Sequence, residues 1–271
     1  MIRFSKGRKM TLLRRLSADQ KRSLSHWAME LIVVIAGVLI ALWLQELVER
    51  RRAVADLHAA EDAIHDEVRS ALTSLIWREA ISQCHLDRAK LLKSALTDAR
   101  DDWPGLDDNA LVVLKPGPGR YSAPTVFPSV YQRPRDTFST SAWNSALATG
   151  ALAPMDHQKF GQLVAIYDLI QVVRENQELE DHAATKLSAL AFPMRLTPQI
   201  RVELIQALYD IDRSRFSFSA FGAAPLAQEM KALGWDDKAA IDRWIVEDAA
   251  DDRRNHIVWK PCVRQPKNPF G

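Results

Sequence analysis

Of 271 residues only two are cysteine, Cys84 and Cys262, and only ten are glycine. Two cysteines alone cannot complete a tetrahedral zinc site. There is no serine nucleophile elbow, no Cys–His pair in motif context, no glycine-rich dinucleotide turn and no paired zinc-ligand motif. "KPGPGR" lacks the Lys-Ser/Thr that would make it a phosphate loop, and the acidic pairs (Asp101–Asp102, Asp107–Asp108, Asp236–Asp237, Asp251–Asp252) lack calcium-loop spacing. Period-two alternation is almost missing as well. Only "ALVVL" and "VWKPCV" could form short strands, which excludes a sheet-built fold. From Val38 to Trp103 there is neither glycine nor proline, so nothing breaks a helix. These absences point away from an enzyme: they offer no catalytic residue and call for no cofactor.

What is present begins with "ELIVVIAGVLIALWLQE", residues 30–46. Leu31 to Leu44 are uninterrupted apolar or small residues. They cover about 21 Å of helix against a hydrocarbon core of roughly 30 Å. Trp27 and Trp43, about 24 Å apart along a helix, suit the two headgroup layers, and residues 24–45 make a helix long enough to span. Eight Lys/Arg precede the run (Arg3, Lys6, Arg8, Lys9, Arg14, Arg15, Lys21, Arg22), and three arginines, Arg50 to Arg52, follow it. That bias sets the N-terminus in the cytoplasm. No small-x-small cleavage site follows the run, so it reads as an uncleaved signal anchor at 24–48, after a basic cytoplasmic arm at 1–23; a buried core helix is the alternative. In the span, Gly37 and Ala41 are four apart and would let another helix approach, and Glu30 is an intramembrane carboxylate near the cytoplasmic headgroups.

Residues 1–52 carry 11 basic and 4 acidic side chains, residues 53–271 carry 25 and 30. The basic arm needs no more than the adjacent span to explain it. The acidic remainder has no basic patch, which argues against nucleic acid. In an oxidising compartment Cys84 and Cys262 can form a disulfide; the alternative is two separate buried thiols. The bridge would close a loop of nearly 180 residues, for which chain entropy gives at most about 5 kcal/mol.

Past the span the helical pattern continues. Val54, Leu57, Ile64, Val68, Leu72, Leu75 and Ile76 recur at spacings of three, four and seven, and the helix is expected to reach about Ala99. Five of the thirteen prolines fall between Lys115 and Arg135, and residues 101–136 read as a loop. A short helix follows, with a Thr or Ser cap at 139–141 and a stop at Gly150. Asp156 caps a long helix to about Ala191. Thr197 and Pro198 start another, expected to kink at Pro225 and stop at Gly234, and a last short helix covers 236–252. The expected fold is all-α: a transmembrane helix running into an extended antiparallel bundle at 49–271.

The nearest thing to a metal site is "HAAEDAIHDE", where His58, Glu61 or Asp62, and His65 share a helix face, together with Glu178 and His182 from "ELEDH". Neither stretch has the Glu-x-x-His of a carboxylate-bridged bundle, and a solvated polar face explains both.

The span resembles that of a group of uncharacterised bacterial single-pass membrane proteins. In them a Glu precedes a Val/Ile-rich run ending in Gly-[Ile/Val]-Leu-Ile-Ala-Leu, here Gly37 to Leu42. "SAWNSALATGALAPMDHQKFGQLVAIYDLI", with Trp143, Gly150, Leu163 and Tyr167, is similar to their second block. Gln45 and Glu46 depart from the Asn and Trp that often close those spans. The resemblance implies membrane anchorage and a helical domain and lends no activity. Three functions follow in order: an inner-membrane protein whose periplasmic helical domain binds a partner or forms a homo-oligomer, a ligand-sensing bundle acting through a partner subunit, and a metal-dependent enzyme.

Overall fold

The computed structural model describes residues 18–106, 112–114, 130–131, 138–254 and 257–271. The basic arm up to Ser17 and most of the proline-rich stretch at 101–136 lie outside the described residues. The fold is all-α, one long apolar N-terminal helix followed by a helical bundle. α1 spans Ala18–Asp98, 81 residues without a break. The chain divides into two compact units, Met1–Asp56 and Leu57–Gly271.

In the first unit every large apolar side chain from Leu31 to Leu44 is exposed, at 49–63 % of its free area. This stretch of helix is a candidate membrane span. Trp27 and Trp43 are exposed too, Glu30 lies on the open surface, and a Cβ built on Gly37 would meet nothing within 4 Å.

In the second unit, α2 (Ser141–Thr149), α3 (His157–Leu187), α4 (Pro198–Ala220), α5 (Ala223–Ala232) and α6 (Lys238–Arg254) complete the bundle. Their ends follow local chemistry. Gly150 closes α2 at φ 72, Asp156 caps α3 through the amides of Gln158 and Lys159, and Thr197 caps α4 with Pro198 in the first turn. The expected kink at Pro225 is instead a full break between α4 and α5. Proline has no N–H for the carbonyl of Phe221 and its ring crowds that oxygen, so the helix has to restart ahead of it. Gly222 makes the turn: a Cβ there would sit 2.1 Å from the carbonyl oxygen of Phe218.

Four short strands tie the ends together. β1 (Asp102–Trp103) pairs antiparallel with β3 (Met194–Arg195), and β2 (Val112–Leu114) pairs with β4 (Ile257–Trp259), the two stretches whose alternation reads as strand. Trp103 donates its indole N–H to the carbonyl of Leu190 at 2.7 Å.

The interior has two apolar clusters. One joins Ile64, Val68, Leu72 and Ile76 of α1 to Leu163, Ile166 and Ile170 of α3, Leu226 and Met230 of α5, and Ile241 of α6. The other joins Leu92 and Leu96 to Leu187 and Leu190, and to Leu204, Leu208 and Ile211 of α4. Along α1 and α3 the first ends at Ile76 and Val173, and the second begins at Ala89 and Ala183. The polar layer between them holds the site.

Candidate functional site

Arg78 and His85 are seven apart on α1, in the same column as Ala71 and Leu92, so both point into the bundle. Glu180 stands between Val173 and Leu187 in the matching column of α3. All three are buried, and Tyr131 joins them from the long connection. Arg78 Nη1 donates to Glu180 Oε2 at 2.7 Å while its guanidinium lies 4.2 Å over the ring of Phe218. On the next turn of α4, Ser214 donates to the carbonyl of Asn176 at 2.8 Å. The layer is a belt of buried polar groups across α1, α3 and α4.

Its hydrogen bonds fix one tautomer. The Tyr131 hydroxyl donates to Glu180 Oε1 at 3.2 Å and has one proton only, so it accepts from His85 Nδ1–H at 3.1 Å. The direct His85 Nδ1 to Glu180 Oε1 distance of 3.7 Å is too long for a bond. His85 Nε2 has no hydrogen-bond partner among the described residues. Burial by itself would raise the Glu180 carboxyl, but His85 and Arg78 reverse this and bring it down to about 2. Burial, and then the Glu180 charge, push the Tyr131 phenol well above its ordinary 10.

These ionisation states suit structure. Glu180 stays a carboxylate and Tyr131 stays a phenol across the physiological range, so neither exchanges a proton at neutral pH. The apolar cleft bordered by Leu75, Phe138, Ile170, Val173, Phe221 and Leu226 has no room for a water molecule, and no titratable group lines it.

A second polar cluster surrounds Glu67, whose Oε2 accepts from the hydroxyls of Ser139 and Ser141 at 2.7 and 3.1 Å and from the Ala142 amide at 3.0 Å. Its Oε1 accepts from Tyr167 at 2.6 Å. Thr140 stands at the N-cap of α2 without a side-chain cap bond, and Glu67 supplies the acceptor from α1 instead. Trp143 stacks on Tyr167 at 4.7 Å and closes the cluster. Burial tends to raise the Glu67 carboxyl, and the four hydrogen bonds outweigh it and lower it.

The sequence candidates fall elsewhere. His58 lies 3.4 Å from Glu61 on the exposed part of α1. His65 binds Asp237 at 2.8 Å and stacks on Trp235 at 4.6 Å, with Arg69 3.2 Å from the same carboxylate oxygen. Glu178 and His182 are exposed on α3. Among the described residues no three metal-ligating side chains come together. Cys84 and Cys262 are joined by a disulfide with Cα atoms 5.0 Å apart. Around it the C-terminal segment lies along α1: Trp259 meets Trp77 edge-on, and the Arg264 amide donates to the carbonyl of Ala80 at 2.9 Å.

Comparison with protein-family models, with curated proteins and with solved structures finds no match. The chemistry of the site is therefore read from its geometry. Sequence reasoning passed over Arg78, His85 and Glu180, although the signal was there: charged residues standing in heptad columns that are otherwise apolar. Tyr131 and Glu67 carry no such signal, because their partners are tens of residues away.

Proposed function

We propose that this chain is a single-pass protein of a bacterial inner membrane, with its N-terminus in the cytoplasm and its helical bundle in the periplasm, and that the bundle is a non-catalytic interaction module. The observation that carries the reading is the naked apolar surface of α1. From Leu31 to Leu44 no side of the helix is covered by protein. An all-round apolar helix left in water forfeits about 25 cal/mol for each Å² of apolar surface, whereas a bilayer covers all of it. The excess of basic residues before the run gives the orientation. A Cys84–Cys262 disulfide suits the oxidising side of that membrane. On the bundle side, the polar belt is sealed and its ionised groups are matched to one another, which favours a scaffold over a reaction centre. The partner is a protein or a second copy of the chain, with lipid around the span.

The test is a thiol count on carbonate-washed membranes, using a maleimide-polymer on denatured protein before and after reduction. Protein kept in the pellet, with thiols that appear only on reduction, is the expected result. Protein released to the supernatant would remove the anchor. Thiols that react without reduction would remove the support the disulfide gives to a periplasmic bundle.

A further inference from the structure

The unclaimed surface of the bundle is one face of α4. Val202, Tyr209 and Phe216 are each seven residues apart and are exposed at 66, 52 and 72 %. Seven residues turn a helix almost two full turns, so the three form one stripe with a step of about 10.5 Å. Single exposed apolar residues need no explanation, but three of them at seven-residue spacing make one continuous apolar line on the outer face of an otherwise amphipathic helix. Tyr209 is already braced: Lys93 of α1 lies 4.6 Å over its ring. Tyr and Arg, as at 209 and 213, are the residue types enriched where partners dock.

Resting on the membrane-anchored reading above, we propose that the occupant of this face is a second copy of the same chain, packed parallel and in register along α4. A two-fold axis beside the stripe sets each of Val202, Tyr209 and Phe216 against its own copy. The flanking charges fit that axis. Arg213 lies on one side of the stripe and Asp212 on the other, so each Arg213 falls beside the partner copy's Asp212, twice by symmetry. Asp212 keeps 45 % of its side chain exposed beside its 4.0 Å ion pair with Arg215. The size of the stripe also selects this occupant. Three large apolar residues and their neighbours bury well under the roughly 1,200–2,000 Å² of a stable interface between free proteins. Copies held in one bilayer share an orientation and a high local concentration, and for them a small contact suffices.

Cysteine cross-linking of the full chain, in the membranes where it is made, tests this. Cys84 and Cys262 are already bonded to each other. Under mild oxidant Val202→Cys, Tyr209→Cys and Phe216→Cys are each expected to give a cross-linked dimer, and Val246→Cys, exposed on α6, is expected to give none. Charge reversal adds a readout that mere proximity would not move. Arg213→Asp in the Tyr209→Cys background is expected to lower the dimer yield severalfold, and adding Asp212→Arg to restore it. Cross-links between Val202→Cys and Phe216→Cys copies, in place of the self-links, would overturn the parallel arrangement. Dimer levels no higher than those of Val246→Cys would overturn the docking face, and would leave the anchor standing if the chain stays in the carbonate pellet. If the chain is released from the membrane, the shared bilayer on which the small contact depends is gone, and the dimer proposal falls with the anchor.

Discussion

A carboxylate as deeply buried as Glu180 keeps its charge only if that charge is met on the spot, and Arg78 meets it at 2.7 Å. The belt also takes a Tyr131 bond on the other carboxylate oxygen, so both oxygens are engaged. Removing one side leaves the other stranded. Glu180→Gln is expected to lose about 3–5 kcal/mol at neutral pH, because a buried guanidinium remains without its counter-charge. Its pH dependence is separate evidence. The Glu180 carboxyl sits at about 2 in the fold and near 4.5 when unfolded. Its folded value is depressed, so its contribution is complete above about pH 4.5 and is lost as the pH falls towards 2. Urea unfolding followed by circular dichroism should show stability falling through that window in the native chain, and a flatter profile over the same window in Glu180→Gln. Equal slopes would mean that the carboxyl titrates normally and that the belt is less closed than its distances say.

Among the helices, α2 shows best how a local element depends on a distant one. Its nine residues are too few to hold a helix unaided in water, and Thr140 gives no side-chain cap bond. Glu67, from α1, receives the α2 amide of Ala142 and the hydroxyls of Ser139, Ser141 and Tyr167. Glu67→Ala is therefore expected to cost about 1–2 kcal/mol and to speed hydrogen exchange at the first α2 amides while Leu72 and Ile166 stay protected. Uniform loss of protection would instead place Glu67 in the global fold. The same contrast separates what was legible in the sequence from what was not. Helix extents rest on short-range patterns: the unbroken stretch after Gly37, Asp156 and Thr197 as caps, Gly150 as a stop. These could be read directly, and so could the two short runs that pair as β2 and β4. The α4–α5 break lies three residues ahead of where Pro225 suggested, since proline acts on the preceding turn. The Glu67 cap and the Tyr131 bond join residues 46 to 100 positions apart, and no pattern within a window of a helix turn or two encodes them.

At the scale of the whole molecule, the packed interior lies in one of the two compact units. Residues 57–271 hold both apolar clusters, the polar belt and the disulfide, whereas Leu31–Leu44 contributes to neither cluster. If lipid is what covers the apolar run, the bundle needs nothing from it to fold. Residues 57–271, exported to an oxidising compartment without the first 56, are then expected to be soluble and helical, to contain the Cys84–Cys262 bond, and to unfold with a midpoint within a few degrees of the full chain in detergent. The margin follows from the ledger of contacts: the truncation removes exposed side chains, and exposed positions typically change stability by no more than about 0.5 kcal/mol each. A bundle that aggregates or loses its near-ultraviolet signal on truncation would mean that the apolar run packs on protein, and the buried-helix alternative would return. The dimer would respond in the opposite sense. Freed from the bilayer, the α4 face loses the local concentration that sustains a small contact, so the truncated bundle is expected to sediment as a monomer at micromolar concentration while the anchored chain cross-links.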